Sequence, residues 1–225
     1  MTEKKSQELE TEEVLVRAKG FWEKNSKNIL IASSAIILLV GGYLAYKYFF
    51  QLPAETKAQE AIFLAEENFR KDSLSLALNG NASTPGFLKI IQKHGGTKTA
   101  NIAHLYAGEC YLHLGEFDNA IKHLKDFNAH GARQVEAKKE GLLGDACSEL
   151  KKNDEAISHY RKAGTLFPDD QAISSEYLFR AAMLLEMGGK NKEAIELYQQ
   201  VKEKYPRTEK GFLVDKYLAR LGSVK

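Results

Sequence analysis

The side chains best suited to chemistry in this 225-residue chain are six histidines, at 94, 104, 113, 123, 130 and 159, and two cysteines, Cys110 and Cys147. Imidazoles and thiolates bind metals and serve as bases or nucleophiles, but ligands on one helix must recur three or four residues apart to share a face. No HxxxH or HExxH occurs, and the cysteines stand 37 positions apart without a CxxC. Glycine-based motifs give no more: there is no GxSxG elbow, no Walker loop and no GxGxxG. The pairs Gly41-Gly42, Gly95-Gly96 and Gly188-Gly189 fall in an apolar run, after a helix and in a turn. The residues therefore predict no enzyme, no metal and no cofactor. Cys110 and Cys147 read as small buried hydrophobes, too few to staple a secreted scaffold. Asn81-Ala82-Ser83 matches a glycosylation acceptor, a pattern too short to carry weight.

The elements that would position any site must then be sought in the charge and hydropathy pattern. Lys plus Arg number 32 against 30 Asp plus Glu, a net charge of +2, which argues against nucleic-acid binding by phosphate neutralisation. At 44% hydrophobic and 28% charged the composition is globular. It is not uniform. From Asn28 to Tyr46 no side chain is charged, and the apolar run continues to Phe50 with only Lys47 intervening. Twenty-two helical residues, 29–50, span about 33 Å, slightly more than a hydrocarbon core of about 30 Å. Nine Ile, Leu and Val residues contribute roughly −3 to −5 kcal/mol to insertion. Phe21 and Trp22 before the run, and Tyr43, Tyr46 and Tyr48 near its end, are placed as interface anchors. A transmembrane helix over 28–50 is predicted, with no cleavage site after it. Arg17, Lys19, Lys24 and Lys27 precede it and only Lys57 and Arg70 follow closely, which favours the N-terminus inside. Residues 1–27 form a short tail, acidic over 1–13, then basic with Val14, Leu15, Ala18, Phe21 and Trp22 at amphipathic helical spacing. It either rests on the membrane or is a solvated tail.

Beyond Leu52-Pro53 the chain repeats itself. LYAGECYLHLGEFDNAIKHL (105–124), LLGDACSELKKNDEAISHY (142–160) and LFRAAMLLEMGGKNKEAIELY (178–198) align on Ala120, Ala156 and Ala194, with steps of 36 and 38 residues. Twelve positions before each alanine stands a small residue, Gly108, Gly144 or Ala182; three later comes Tyr111, Cys147 or Leu185. Leu124, Tyr160 and Tyr198 follow the alanines by four, and Pro168 and Pro206 follow two of them by twelve. Small residues at facing positions let two helices approach closely. The pattern resembles the tetratricopeptide repeat, of period 34, so extra residues are expected around 128–134 and 169–175. The large aromatic usual near the start of the first helix is replaced by His104, Glu140 and Leu178. The expected fold is all-α: a transmembrane helix, a degenerate helical pair over 51–98 with helices at 55–71 and 87–94, three repeats over 99–207, and a capping helix over 208–225. Together these make a short right-handed α-solenoid.

The resemblance implies a peptide-binding concave face along the first helices, at Ile102, Leu105, Glu109 and Leu112, then Lys138, Gly141, Asp145 and Glu149, then Glu176, Phe179, Met183 and Glu186. Its apolar and acidic mixture would suit an unfolded segment carrying apolar and basic residues. The competing reading is that the apolar members pack inside the stack, as helix stripes commonly do. In architecture the whole chain resembles the YfgM-like family of bacterial inner-membrane proteins, ancillary subunits of the protein-export translocon. That resemblance implies a cytoplasmic N-terminus, a periplasmic domain, and protein partners: the translocon, periplasmic chaperones or unfolded clients. No nucleic acid or small-molecule substrate is implied. On the same reading Gly41, Gly42 and Ala45 would let the anchor approach a neighbouring membrane helix. The alternative is a scaffold with one fixed partner in an envelope or organelle-membrane complex.

Overall fold

The computed structural model describes residues 2–223, and side chains from residue 15 onward. The acidic stretch 1–13, Val14 of the expected amphipathic pattern, and residues 224 and 225 of the expected cap lie outside those described side chains. The described residues are helical and contain no strand, with one isolated bridge between Gly80 and Pro85. The chain divides into two compact units, Met1–Pro53 and Ala54–Lys225.

The first unit is helix α1, Thr2–Tyr46, continued by a π-helical turn at Lys47–Gln51. No residue from 28 to 50 is buried. Among the described residues this helix is apolar all round, and it is long and apolar enough to cross a membrane. The π turn precedes Pro53. A proline lacks the N–H that would continue the helical ladder, and its ring crowds the preceding turn, so a widened turn relieves both problems. The Leu52 N–H closes it by bonding to the Lys47 carbonyl.

The second unit begins within α2 (Leu52–Arg70) and continues with α3 (Leu74–Asn79) and α4 (Phe87–Lys93). Helix α3 lies between the two helices expected over 55–71 and 87–94. Its Ala77 and Leu78 are buried in a core shared with Ile62, Phe87 and Ala103, and that burial stabilises six residues too few to be helical alone. Glu55 of α2 reaches the start of the next helix, α5 (Lys98–His113). Its carboxylate accepts the Lys98 N–H at 2.8 Å, the Thr99 N–H at 3.0 Å and the Thr99 hydroxyl at 2.6 Å. These satisfy donors that a helix end leaves open, and Thr97 Oγ1 adds an ordinary N-cap to Ala100.

Three helical pairs follow: α5 with α6 (Phe117–Asp126), α7 (Arg133–Glu149) with α8 (Asn153–Leu166), and α9 (Gln171–Met187) with α10 (Asn191–Lys204). Helix α11 (Glu209–Arg220) closes the series. The small residues meet as expected. A methyl added at Gly108 would lie 2.6 Å from Leu124 Cγ, and one added at Gly144 would lie 2.5 Å from Tyr160 Cδ1. Ala182 and the three alanines Ala120, Ala156 and Ala194 are fully buried. The pairs also share one turn. The N–H of Glu116, Lys152 and Lys190 bonds to the carbonyl of Tyr111, Cys147 and Leu185, at 2.8, 2.9 and 2.8 Å. One residue before each donor the backbone is left-handed, at Gly115, Lys151 and Gly189. This is the glycine-type helix stop, in which Lys151 takes a conformation that costs a side-chain-bearing residue about 1 kcal/mol.

The longer steps arise differently. The first lies in the loop 127–132, where Asn128 N–H bonds to Asn101 Oδ1 at 2.9 Å and Asn101 Nδ2 donates to the Asn128 carbonyl at 2.8 Å. The second was expected around 169–175, but residues 171–175 are already helical. The extra length is in α8, which has 14 residues against 10 in α6. Gly164 lets that extension pass under Leu178 of α9.

Candidate partner-binding face

The first helices of the pairs, and α11 after them, are joined side to side by a ladder of ion pairs. Glu109 of α5 meets Lys138 of α7 at 2.8 Å; Asp145 of α7 meets Arg180 of α9 at 2.6 Å. Glu176 and Glu186 of α9 meet Lys210 and Arg220 of α11 at 3.2 and 2.7 Å. Each acid therefore already has a cation from the next first helix. Half-exposed pairs like these contribute about 0–1 kcal/mol each, so the apolar core holds the stack together and the ladder fixes its register. Burial works to raise the Glu176 carboxyl, but hydrogen bonds from Arg180 and Lys210 outweigh it and hold the group below the usual carboxylate value.

Within the ladder, Tyr160 donates to Asp145 Oδ1 at 2.6 Å, and Tyr177 stacks on Tyr160 with ring centroids 6.1 Å apart. Burial, then the charge of Asp145, pushes the Tyr177 phenol up to about 12, so it stays neutral at physiological pH. Between the first turns of α9 and residues 207–210 lies a hollow of about 580 Å³, lined by Ile173, Tyr177, Glu176, Arg207 and Lys210 among others. A second, of about 360 Å³, lies among Met183, Glu186, Met187 and Arg220.

The residues singled out from the sequence occupy different places in the structure. Leu105 and Phe179, 9% and 4% exposed, belong to the core; Phe179 packs edge-on against Tyr217 at 4.8 Å and offers little surface to a ligand. Glu109, Lys138 and Asp145 are rungs of the ladder, so both of these acids are already matched by a cation within the protein. Leu112 and Met183 are half-buried, the first beside the core around Leu124, the second lining the smaller hollow. Gly41, Gly42 and Ala45 are exposed on α1, and a methyl placed on either glycine would meet nothing within 4 Å beyond the adjoining residues and backbone of its own helix. The two thiols are buried, and burial, then Glu109, pushes Cys110 up to about 12, away from nucleophile chemistry at neutral pH.

Tyr177, Ile173, Arg180 and Lys210 escaped the sequence reading. One signal pointed to the first: Gly141 stands where the neighbouring repeats carry Leu105 and Phe179, and the Tyr177 ring occupies the space a side chain there would need.

Comparison with known families agrees with this geometry. Tetratricopeptide repeat families match residues 103–129, 141–170 and 176–208, so the second unit contains tetratricopeptide repeats. A solved structure described as the crystal structure of MamA protein is similar in fold, with a TM-score of 0.51 and 16% identity over 76% of this chain and 89% of that chain. No curated protein matches the chain. Repeats of this kind are scaffolds for protein–protein interaction.

Proposed function

We propose that the protein is a membrane-tethered adaptor whose repeats hold a polypeptide partner, acting as an accessory factor of protein export between the translocon and periplasmic chaperones. On this reading α1 crosses the bacterial inner membrane with the N-terminus in the cytoplasm. The observation that carries the binding reading is the larger hollow beside Tyr177. Of its charged lining, Glu176 and Lys210 are paired with each other, and Ile173 and Tyr177 offer an aliphatic and aromatic surface that suits an apolar side chain of an extended segment.

Photo-crosslinking residues at Ile173 and Met183, in the full chain in native membranes, test it against the same probe at exposed Glu196 of α10. Adducts with export components and many different chains, at 173 and 183 but not at 196, are the expected result. A single stoichiometric adduct would favour the scaffold reading. Equal yields at all three positions would rule out this face. Protease protection of the second unit in intact cells, lost when the outer barrier is opened, tests the orientation.

A further inference from the structure

One place in the repeats is filled in three different ways. One turn before the small residue of the first helix, and 19 positions ahead of its opposite number on the second, stand His104 with His123, Glu140 with His159, and Leu178 with Leu197. In the first repeat the two Nδ1 atoms are 3.2 Å apart. In the second, His159 Nδ1 lies 2.7 Å from Glu140 Oε2, and Lys162 Nζ lies 2.8 Å from Glu140 Oε1. In the third, both leucines sit in the same apolar core, 1% and 7% exposed. The histidine pair is not a metal centre in form: the Asp126 carboxylate stands 4.0 Å from His104, and no group of three or more metal-binding side chains occurs among the described residues.

We propose that the His104–His123 pair is an acid-sensitive clasp, through which the first repeat, unlike the third, loosens its two helices when its surroundings acidify. Two neutral imidazoles share one hydrogen bond, with one Nδ1 donating and the other accepting. A first added proton leaves an imidazolium donating to a neutral ring, and the clasp holds. A second puts an N–H on both facing atoms and leaves no acceptor. Burial lowers both titrations, and the neighbouring imidazole lowers that of His123 further. Asp126 raises both and Lys122 lowers His123. These two charges come from α6; among the described residues, α4 and α7 bring none that acts on either ring, and the Tyr111 phenol of α5 stacks on His123 at 5.4 Å.

With folded-state titrations below the unfolded value of about 6.5, the unfolded repeat binds more protons. The clasp's contribution is complete above about pH 6.5 and is lost as pH falls through the folded values. Over that range Glu140, held at about 2, stays ionised in the second repeat. The third has nothing to titrate at this place. Since α5 carries Glu109 and Leu112, acid would undo the first wall of the partner-binding face before the others.

Hydrogen exchange of the full chain in detergent micelles at pH 7.5 and 5.0, corrected for intrinsic rates, tests the clasp. Protection over 98–126 should fall at pH 5.0 relative to 171–204, the direction that the lowered titrations of both rings require. His123→Phe, which keeps the stack on Tyr111, should abolish the difference. Parallel change of both repeats in the wild type, or an undiminished drop in the variant, would overturn the proposal. Should His123→Phe fail to fold, the wild-type imidazoles can be titrated by NMR; both titrating at 6.5 or above would overturn it equally.

Discussion

In the first repeat Gly108 lies under Leu124 and the turn closes on the Tyr111 carbonyl; in the third, Ala182 and Ala194 are buried and the turn closes on Leu185. The backbones are made the same way. Yet where the first places two half-buried imidazoles between its helices, the third places Leu178 and Leu197 beside the fully buried Tyr198. The second is intermediate, with a buried carboxylate held by His159 and Lys162. Close approach and helix termination thus define the repeat, and the adjoining contact between its helices is free to vary in polarity. A protein built this way can vary the stability of its parts along the chain without altering its outline.

The largest effect expected from breaking this comparison is at Leu178. Leu178→Ala removes a side chain that is 1% exposed and should cost about 2–5 kcal/mol in denaturant unfolding of the full chain in micelles. A smaller loss there would mean that the third repeat is not the apolar anchor. Next, Ala156→Trp overpacks the second repeat and should cost about 1–3 kcal/mol. An unchanged unfolding midpoint would contradict the close approach on which the repeat register rests.

The second repeat should also respond to pH in its own window. Burial alone would raise the Glu140 carboxyl, but His159 and Lys162 outweigh it and hold the group at about 2. Its contribution, on the order of 2 kcal/mol at neutral pH, is present above about 4.5 and is lost as pH falls towards 2. Glu140→Gln should flatten the stability profile between those values. The smallest effect is a gain: Lys151→Gly relieves the left-handed lysine and should stabilise the chain by about 0.5–1 kcal/mol, bringing the second turn into line with the other two.

The repeats were legible because their marks are local and physical. Two helices can touch closely only where Gly or Ala allows it, so Gly108, Gly144 and Ala182 had to recur at fixed distances from the alanines. The apolar run of α1 was legible because bilayer thickness sets its length. Less could be read of the face. Leu105 and Phe179 look like groove positions on a helical wheel, but which side of a first helix meets the next depends on how successive pairs turn about each other, and that is not written in any single helix. The ladder partners are 29 to 35 residues apart and belong to different repeats, so the acids appeared free until the stack brought Lys138, Arg180, Lys210 and Arg220 beside them. The second insertion was misplaced because an added helical turn and an added loop lengthen the period alike. Helix α3 lacked a signal because its stability comes from the core it joins.

The three matching turns have an implication for how such a chain could grow. A stretch running from Gly115 to Lys151, or from Lys151 to Gly189, starts and finishes at chemically equivalent joints. Duplicating or deleting one such block would leave every junction with its terminating bond intact, so the array could lengthen or shorten by recombination without inventing a new connection.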